Sequence, residues 1–230
     1  MANILFTRAG VLKGMQRLLP VSLFVVPFGI AYGVAATEQG LGPFQATAMS
    51  GLVFTATAQF AALDFLEEPI AFFSLGLVVL ALSGRHIIMS AALSRWINQL
   101  PVKRRLVTLA FLSDANFADF QTSLQRGEND LGTLLGGGLM LWLAWVGSTA
   151  AGAFGGDLIG KTDHLGFDVV MICFFAATVF GAVRSSTRMF LPVVAAMAVS
   201  ALTYTILPTG WNIIFAALVG GAVAVVYHAE

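Results

Sequence analysis

Three ionisable side chains lie in otherwise apolar stretches of this sequence and could bind a charged solute or carry a proton. Arg85 and His86 are adjacent within one long apolar segment, and Asp114 follows the apolar run 109–112. Ionisable groups inside apolar segments are costly and usually face a polar interior. The structural alternatives are an Arg85 side chain that extends towards lipid headgroups, a neutral packing role for His86, and a simple ion pair between Asp114 and Arg85.

A proline and a glycine interrupt the first apolar segment at Pro27-Phe28-Gly29. Proline removes a backbone donor and clashes with the carbonyl four residues earlier, and glycine adds backbone freedom. One interpretation is a discontinuous helix whose free backbone groups face a substrate. The other is an ordinary proline kink, and the sequence leaves both open.

A polar stripe recurs every four residues in the second segment, at Thr47, Gly51, Thr55 and Gln59. This spacing places the four residues on one face of a helix. Helix–helix hydrogen bonds are the favoured interpretation for the threonines, although Thr55 stays a candidate binding residue. Gln59 is expected to line a cavity, because lipid cannot satisfy the donors and the acceptor of its amide.

Enzymatic motifs are absent from the sequence. His86, His164 and His228 lie in three separate regions without a metal-binding pairing, and neither a Walker loop nor a nucleophile motif is present. The single cysteine, Cys173, excludes a disulfide or a cysteine-based metal site within the chain. We therefore expect neither an enzyme nor a cofactor, and an intramembrane enzyme is the weakest alternative.

Composition places these residues in a membrane protein. Of the 230 residues, 58% are hydrophobic and 10% are charged, whereas a soluble domain carries about 25% charged residues. The lipid bilayer is therefore the expected surroundings, and the zero net charge argues against nucleic acid as a partner. The whole chain, residues 1–230, is predicted to be a single integral membrane transport domain of the all-α class.

About 20 apolar residues span a bilayer, and eight apolar segments are candidate membrane segments by their length. The second and the fourth are the more polar ones, since the fourth contains Asp114, Asn116 and Asp119. The segments are 18–37, 43–63, 69–93, 106–124, 131–154, 167–183, 189–207 and 211–228.

Lys and Arg mark the cytoplasmic side of a membrane protein, and they test how many segments cross. If all eight crossed, the basic residues would be divided almost evenly between the two sides. If 43–63 and 106–124 are re-entrant, only Lys161 lies outside. The cytoplasmic side then holds Arg8, Lys13, Arg17, Arg95, Lys103, Arg104, Arg105, Arg126, Arg184 and Arg188.

The charge pattern therefore predicts a polytopic helical bundle of about six crossings, two re-entrant polar segments and cytoplasmic termini. Backbone that returns at membrane depth needs shielding by protein or by a water-filled cavity, so two such segments imply a polar interior. Interrupted segments in corresponding places are typical of transporters built from repeated halves. No convincing sequence repeat supports that symmetry here.

Several short blocks follow one another in a characteristic order along the chain. They are Leu19-Pro20, Pro27-Phe28-Gly29, Met49-Ser50, Ala58-Gln59-Phe60-Ala61-Ala62, Arg85-His86, Met89-Ser90-Ala91-Ala92-Leu93, Phe111-Leu112-Ser113-Asp114 and Gly166-Phe167-Asp168. In this order and spacing the blocks resemble the AzlC family, the large subunits of branched-chain amino acid exporters. The resemblance covers nearly the whole chain, with one departure: family members often have an asparagine shortly before the Arg-His pair, where this chain has Ser83-Gly84.

The resemblance implies export of valine, leucine and isoleucine, with methionine as a further substrate, across a bacterial inner membrane. It also implies a small AzlD-like membrane subunit as partner. In the mechanism we expect, Arg85 and the backbone near Pro27-Phe28-Gly29 receive the substrate carboxylate, and Asp114 receives the ammonium group or a proton. A histidine can change charge near neutral pH, so His86 suits proton coupling. The alternative is a channel or a transporter for another small solute.

Overall fold

A computed structural model gives the fold of the chain and describes residues 4–63, 65–66, 72–159, 176, 179–181, 183–184, 186–207 and 211–228. These residues are predominantly helical, and the pairing of Leu5 with Asp130 is an isolated bridge. The predicted all-α class is confirmed. The predicted segment 167–183 falls largely outside the described residues.

Within the described residues, both polar segments are divided into two helices. A short 3-10 turn, Thr187–Met189, leads into α8. The helices are α1 Arg8–Glu38, α2 Pro43–Val53, α3 Ala56–Leu63, α4 Phe72–Ile97, α5 Val102–Ala110, α6 Asp114–Gln125, α7 Gly132–Ile159, α8 Phe190–Thr203 and α9 Trp211–His228.

Three of the described helices are long and apolar enough to cross a membrane: Arg8–Glu38, Phe72–Ile97 and Gly132–Gly156. Shorter apolar helices occupy Thr187–Thr203 and Trp211–Tyr227. Large apolar side chains such as Phe24 and Ile88 lie exposed on the long helices, as lipid contact requires. The first helix begins at Arg8 rather than near residue 18, because the Thr7 hydroxyl caps it by accepting the Gly10 N–H at 2.8 Å.

The chain divides into two compact units. The first contains Met1–Gln59 and Ser83–Lys161, and the second contains Phe60–Leu82 and Thr162–Glu230. In the second unit, α8 packs with α9, where Gly220 lies against Ala196 and Asn212 Nδ2 donates to Ser200 Oγ at 3.3 Å. The prediction of one transport domain concerns function and stays a prediction.

In the first unit, α1 and α7 form a closely packed pair. A Cβ atom at Gly14 would collide with the backbone of Thr133, and one at Gly29 would collide with the Ser148 side chain. Both contacts join residues 119 positions apart. Because both residue numbers rise together along the interface, the two helices run parallel.

Parallel helices restrict the topology between them. If α1 and α7 both span the membrane, the intervening segments must make an odd number of crossings in total. With one crossing by α4, the total is odd if 43–63 and 106–124 both return or if both cross. This condition excludes the case in which only one of them crosses.

Ionic contacts fix the start of α1 to the loop between α6 and α7. Glu128 pairs with Lys13 at 2.9 Å and with Arg17 at 2.8 Å, and these hydrogen bonds hold the pKa of Glu128 below its ordinary value. Asp130 accepts hydrogen bonds from the Thr7 backbone at 3.1 Å and from the Thr7 hydroxyl. The apolar core beside this end is formed by Met89, Leu93, Ile97, Leu112, Phe120, Leu131 and Leu134.

Candidate functional site

The site is built from the two segments predicted to be re-entrant, and the structure breaks both. The first break lies at Phe54 and Thr55, between α2 and α3. Phe54 has the left-handed backbone angles φ 45° and ψ 42°, which are uncommon for a residue other than glycine. The second break covers residues 111–113, between α5 and α6.

The α2–α3 segment approaches the middle of α7 from the C-terminal end of that helix. The Phe44 ring meets the Phe154 ring at 5.0 Å, and the Ser50 and Thr149 hydroxyls are 2.9 Å apart, so α2 runs antiparallel to α7. Gln59 Nε2 donates to Ser50 Oγ at 2.9 Å. Nine residues of straight helix would separate these two positions by about 13 Å, so the chain turns sharply at the break.

The α5–α6 segment begins and ends at the opposite end of the α1–α7 pair. Near its beginning the Arg104 guanidinium lies 5.3 Å from the centre of the Phe6 ring. At the break, the Phe111 ring meets Trp142, in the middle of α7, at 5.6 Å. After α6 the chain is again beside the N-terminus, where the Leu131 N–H donates to the Leu5 carbonyl at 2.9 Å. The segment thus begins and ends beside the same end of the α1–α7 pair, as a re-entrant segment would, and its return within a membrane stays a prediction.

Arg85 joins the two broken segments. Its Nη1 lies 3.0 Å from Asp114 Oδ2, and its Nη2 donates to Thr57 Oγ1 at 3.2 Å. The Arg85 side chain is 39% exposed and that of Asp114 is 60% exposed, so the described residues do not enclose the pair. Arg85 Nε is buried and has no hydrogen-bond partner among the described residues.

The contacts of Arg85 lie at the first turns of two helices. Thr57 is the second residue of α3 and Asp114 is the first residue of α6. Helix N-termini carry a partial positive charge, and Arg85 adds a full one. The region therefore favours anions. Asp114 supplies a negative charge at the N-terminus of α6 but not at the N-terminus of α3.

Two buried amides hold the broken helices on α7. Gln59 is completely buried, and its Oε1 accepts a hydrogen bond from Trp145 Nε1 at 2.9 Å while its Nε2 donates to Ser50. Asn116 is 1% exposed. Asn116 Nδ2 donates to the carbonyl oxygens of Phe111 at 2.8 Å and Leu134 at 2.9 Å, and Asn116 Oδ1 accepts from Ser113 N–H at 2.7 Å.

The structure therefore brings Arg85 and Asp114 together, and the predicted ion pair is present. Thr55 lies at the first break, where its hydroxyl donates to the Val53 carbonyl at 3.1 Å. Gln59 lies in a helix–helix hydrogen-bond network with Ser50 and Trp145, and its place on a cavity wall stays a prediction. His86 Nδ1 lies 3.2 Å from the Ser83 carbonyl on its own helix. Substrate binding by these side chains stays a prediction.

Of the two interpretations left open at Pro27-Phe28-Gly29, the discontinuous helix is wrong, because α1 continues through both Pro20 and Pro27. Close packing explains this difference, since Gly29 lies directly against Ser148 of α7. The role of Gly29 in the structure is close helix approach. The discontinuous helices are the two polar segments instead.

Sequence reasoning assigned no role to Thr57 or Asn116. A single threonine in an apolar segment carries no distinctive signal, and Asn116 registered only as a polar interruption. A signal was nevertheless present, because Ala58-Gln59-Phe60-Ala61 resembles Ala115-Asn116-Phe117-Ala118. Among the described residues, no group of His, Cys, Asp and Glu could hold a metal ion.

Comparisons with known proteins agree with this membrane architecture. The inner membrane protein YgaZ of Escherichia coli strain K12 is 27% identical over 149 residues, which is 64% of this chain and 61% of that protein. An uncharacterized membrane protein of Archaeoglobus fulgidus is 29% identical over 147 residues, 64% of this chain and 63% of that protein. The chain thus matches about three fifths of each relative, and no solved structure matches it.

A family model described as AzlC protein matches residues 20–159, which include both broken segments and Arg85. The match covers more than half of the chain. This chain therefore belongs to the AzlC family, membrane proteins related to branched-chain amino acid transport.

Proposed function

We propose that this chain exports branched-chain amino acids, together with methionine, across a bacterial inner membrane. The observation that carries the proposal is Arg85, which lies between the N-termini of two half-helices and is not enclosed by the described residues. Broken helices whose positive ends point at a substrate carboxylate are a recurring device of amino acid transporters. The location follows the E. coli relative, whose name places it in the inner membrane.

A branched-chain amino acid needs an anion site, a cation site and apolar contacts. Arg85 and the half-helix N-termini supply the first. Asp114 supplies the second, aided by the carbonyl groups that end α2 and α5, since helix C-termini attract cations. Apolar residues around the breaks, including Phe111 and Trp142, suit an aliphatic side chain.

Proton coupling and a partner subunit complete the proposal. Asp114 or His86 would carry the proton. A small AzlD-like membrane protein would assemble with this chain. The basic residues listed for the cytoplasmic side support cytoplasmic termini.

The test is leucine counterflow in liposomes that contain the purified chain and its small subunit. Arg85→Gln removes a charge-assisted bond worth about 1.5–3 kcal/mol, so kcat/KM for leucine should fall about tenfold or more. Arg95→Gln removes an exposed arginine in the last turn of the same helix and should change little. Asp114→Asn should alter the pH dependence of valine flux.

Three outcomes would contradict the proposal. Unchanged kcat/KM for Arg85→Gln would remove this residue from substrate binding. Unchanged pH dependence for Asp114→Asn would remove this residue from proton coupling. Flux that rises linearly with leucine concentration would indicate a channel.

A further inference from the structure

The two broken segments resemble each other in sequence at a constant offset of 57 residues. Phe54 corresponds to Phe111, and the four residues 58–61 correspond to 115–118, with an amide between alanine and phenylalanine in both. The helix boundaries follow the same offset. Val53 ends α2 and Ala110 ends α5, while α3 and α6 begin within one residue of matching positions.

Corresponding residues make corresponding contacts. Gln59 and Asn116 are both fully buried amides that bind α7, one through Trp145 and the other through the Leu134 carbonyl. Thr57 and Asp114, also 57 positions apart, both bind the Arg85 guanidinium. Sequence, helix boundaries and contacts thus agree on the same pairing.

The two copies have opposite orientations. The α2–α3 segment comes from the C-terminal end of α7, and the α5–α6 segment comes from its N-terminal end. They meet at Trp142, whose Nε1 donates to the Gly51 carbonyl at 2.9 Å and whose ring contacts Phe111. Segments that correspond in sequence but enter from opposite ends are the signature of an inverted repeat.

The copies differ in charge at the position that binds Arg85. The first turn of α6 contains an acidic residue, Asp114, whereas the first turn of α3 contains none. The positive end of α6 and one side of Arg85 are thus already neutralised. On the other side, within the part of the chain that the structure describes, Arg85 Nη2 donates to the neutral hydroxyl of Thr57.

We infer that the broken segments form an inverted repeat centred on Arg85, in which Thr57 is the equivalent of Asp114 and marks the face where the substrate carboxylate binds. A substrate carboxylate replaces the Thr57 hydroxyl on Nη2, while Asp114 stays on Nη1. The exchange is favourable because a charge-assisted hydrogen bond is stronger than one to a neutral hydroxyl. The second part of this inference rests on the proposed function.

A charge swap tests the repeat without any transport measurement. Asp114→Thr leaves Arg85 without a carboxylate and should lower the thermal stability of the purified protein. Adding Thr57→Asp restores a carboxylate from the other half-helix, so the double variant should recover at least half of the lost melting temperature. Additive effects of the two substitutions, with no recovery, would overturn the equivalence of the two positions.

Leucine transport then tests whether the substrate carboxylate binds on the Thr57 side of Arg85. Thr57→Asp alone places a fixed carboxylate where the substrate carboxylate would bind, so KM should rise at least about tenfold through like-charge repulsion. Thr57→Ser keeps the hydroxyl and should leave KM within about twofold, by the same reasoning. An unchanged KM for Thr57→Asp would overturn the assignment of the face. Absence of leucine transport by the unmodified protein would count against the proposed function alone, because the charge swap is read from stability.

Discussion

Gln59 and Asn116 show how single side chains hold a broken helix in an apolar environment. A break frees backbone groups that lipid cannot satisfy, and the Asn116 amide binds backbone on both sides of its break, at Ser113 and Phe111. Gln59 connects α3 to α2 through Ser50 and to α7 through Trp145. Each amide therefore fixes the position of the half-helix that meets Arg85.

Replacing either amide with leucine should destabilise the protein. Gln59→Leu leaves the Trp145 N–H without its acceptor. Asn116→Leu leaves the Phe111 carbonyl and the Ser113 N–H without this partner and removes the second bond to the Leu134 carbonyl, which lies within α7. Each buried polar group left unpaired costs about 1–3 kcal/mol, so Asn116→Leu should be the more damaging change. Equilibrium unfolding in mixed micelles measures the difference in free energy.

Gln99 provides the matched control for both substitutions. Its amide also donates to a backbone carbonyl, that of Arg95 at 3.1 Å, but the side chain is exposed. Gln99→Leu should leave the free energy of unfolding nearly unchanged, since water replaces the lost bond. A loss as large as that of Asn116→Leu would show that burial is not the source of the effect.

At the residue level, the sequence singled out the charged members of the site and Gln59, but not Thr57 or Asn116. Arg85 and Asp114 were identified because charge in an apolar segment is costly and therefore informative. Thr57 was missed, since a hydroxyl is common in membrane helices and can bond to its own backbone, as Thr47 does to the Pro43 carbonyl at 2.8 Å. Only its contact with Arg85 distinguishes Thr57.

At the scale of elements, the close contact of α1 with α7 depends on glycine. Gly136 faces the Val11 backbone and Gly152 faces the Ile30 backbone, in positions where a Cβ atom would collide. Lipid offers no hydrophobic driving force between membrane helices, so such close approach supplies much of their association. The pair is the surface on which both buried amides are anchored.

Gly136→Ala should therefore destabilise the α1–α7 pair, although alanine favours helix formation. The added methyl group must displace backbone atoms of Val11, and overpacking of this kind costs about 1–3 kcal/mol. Thermal unfolding in detergent should show a lower melting temperature for this variant.

Gly147→Ala is the control on the same helix, because nothing lies within 4 Å of the added carbon. It should leave the melting temperature unchanged or raise it slightly, since alanine has the higher helix propensity. Equal losses for Gly136→Ala and Gly147→Ala would refute the contact as the cause.

Within the described residues, the sequence identified the segments that are interrupted but not the positions of the breaks. The polar content of 43–63 and 106–124 identified the two segments that are interrupted. The first break itself lies at Phe54, which is neither glycine nor proline, so no local sequence signal marks it. Pro27 carries the stronger local signal, yet α1 stays continuous beside α7. Tertiary contacts therefore decide both that the helix breaks at Phe54 and that α1 continues through Pro27.

At the scale of the whole molecule, the order of the elements in the first unit limits how the chain can pass through a membrane. α1 and α7 run parallel, and both ends of the α5–α6 segment lie beside residues 5–6. The charge asymmetry in the sequence predicted such a return for 106–124. If this segment returns, 43–63 must return as well, because the number of crossings between parallel helices is odd.

Three exposed glutamines allow this topology to be tested without altering any charge. Gln99 follows α4, Gln125 ends α6, and Gln39 follows α1. Each would be replaced by cysteine in a Cys173→Ser background. A membrane-impermeant maleimide is then applied to spheroplasts and to inside-out vesicles.

The cysteines at positions 99 and 125 should react from the same side of the membrane, and the one at 39 from the opposite side. The basic residues Arg95, Lys103 and Arg126 predict that the shared side is cytoplasmic, so 99 and 125 should react only in inside-out vesicles. Because α1 is 31 residues long, about 46 Å of helix separates its two ends. Labelling of 99 and 125 from opposite sides would show that 106–124 crosses the membrane, and the parallel α1–α7 pair would then require 43–63 to cross too.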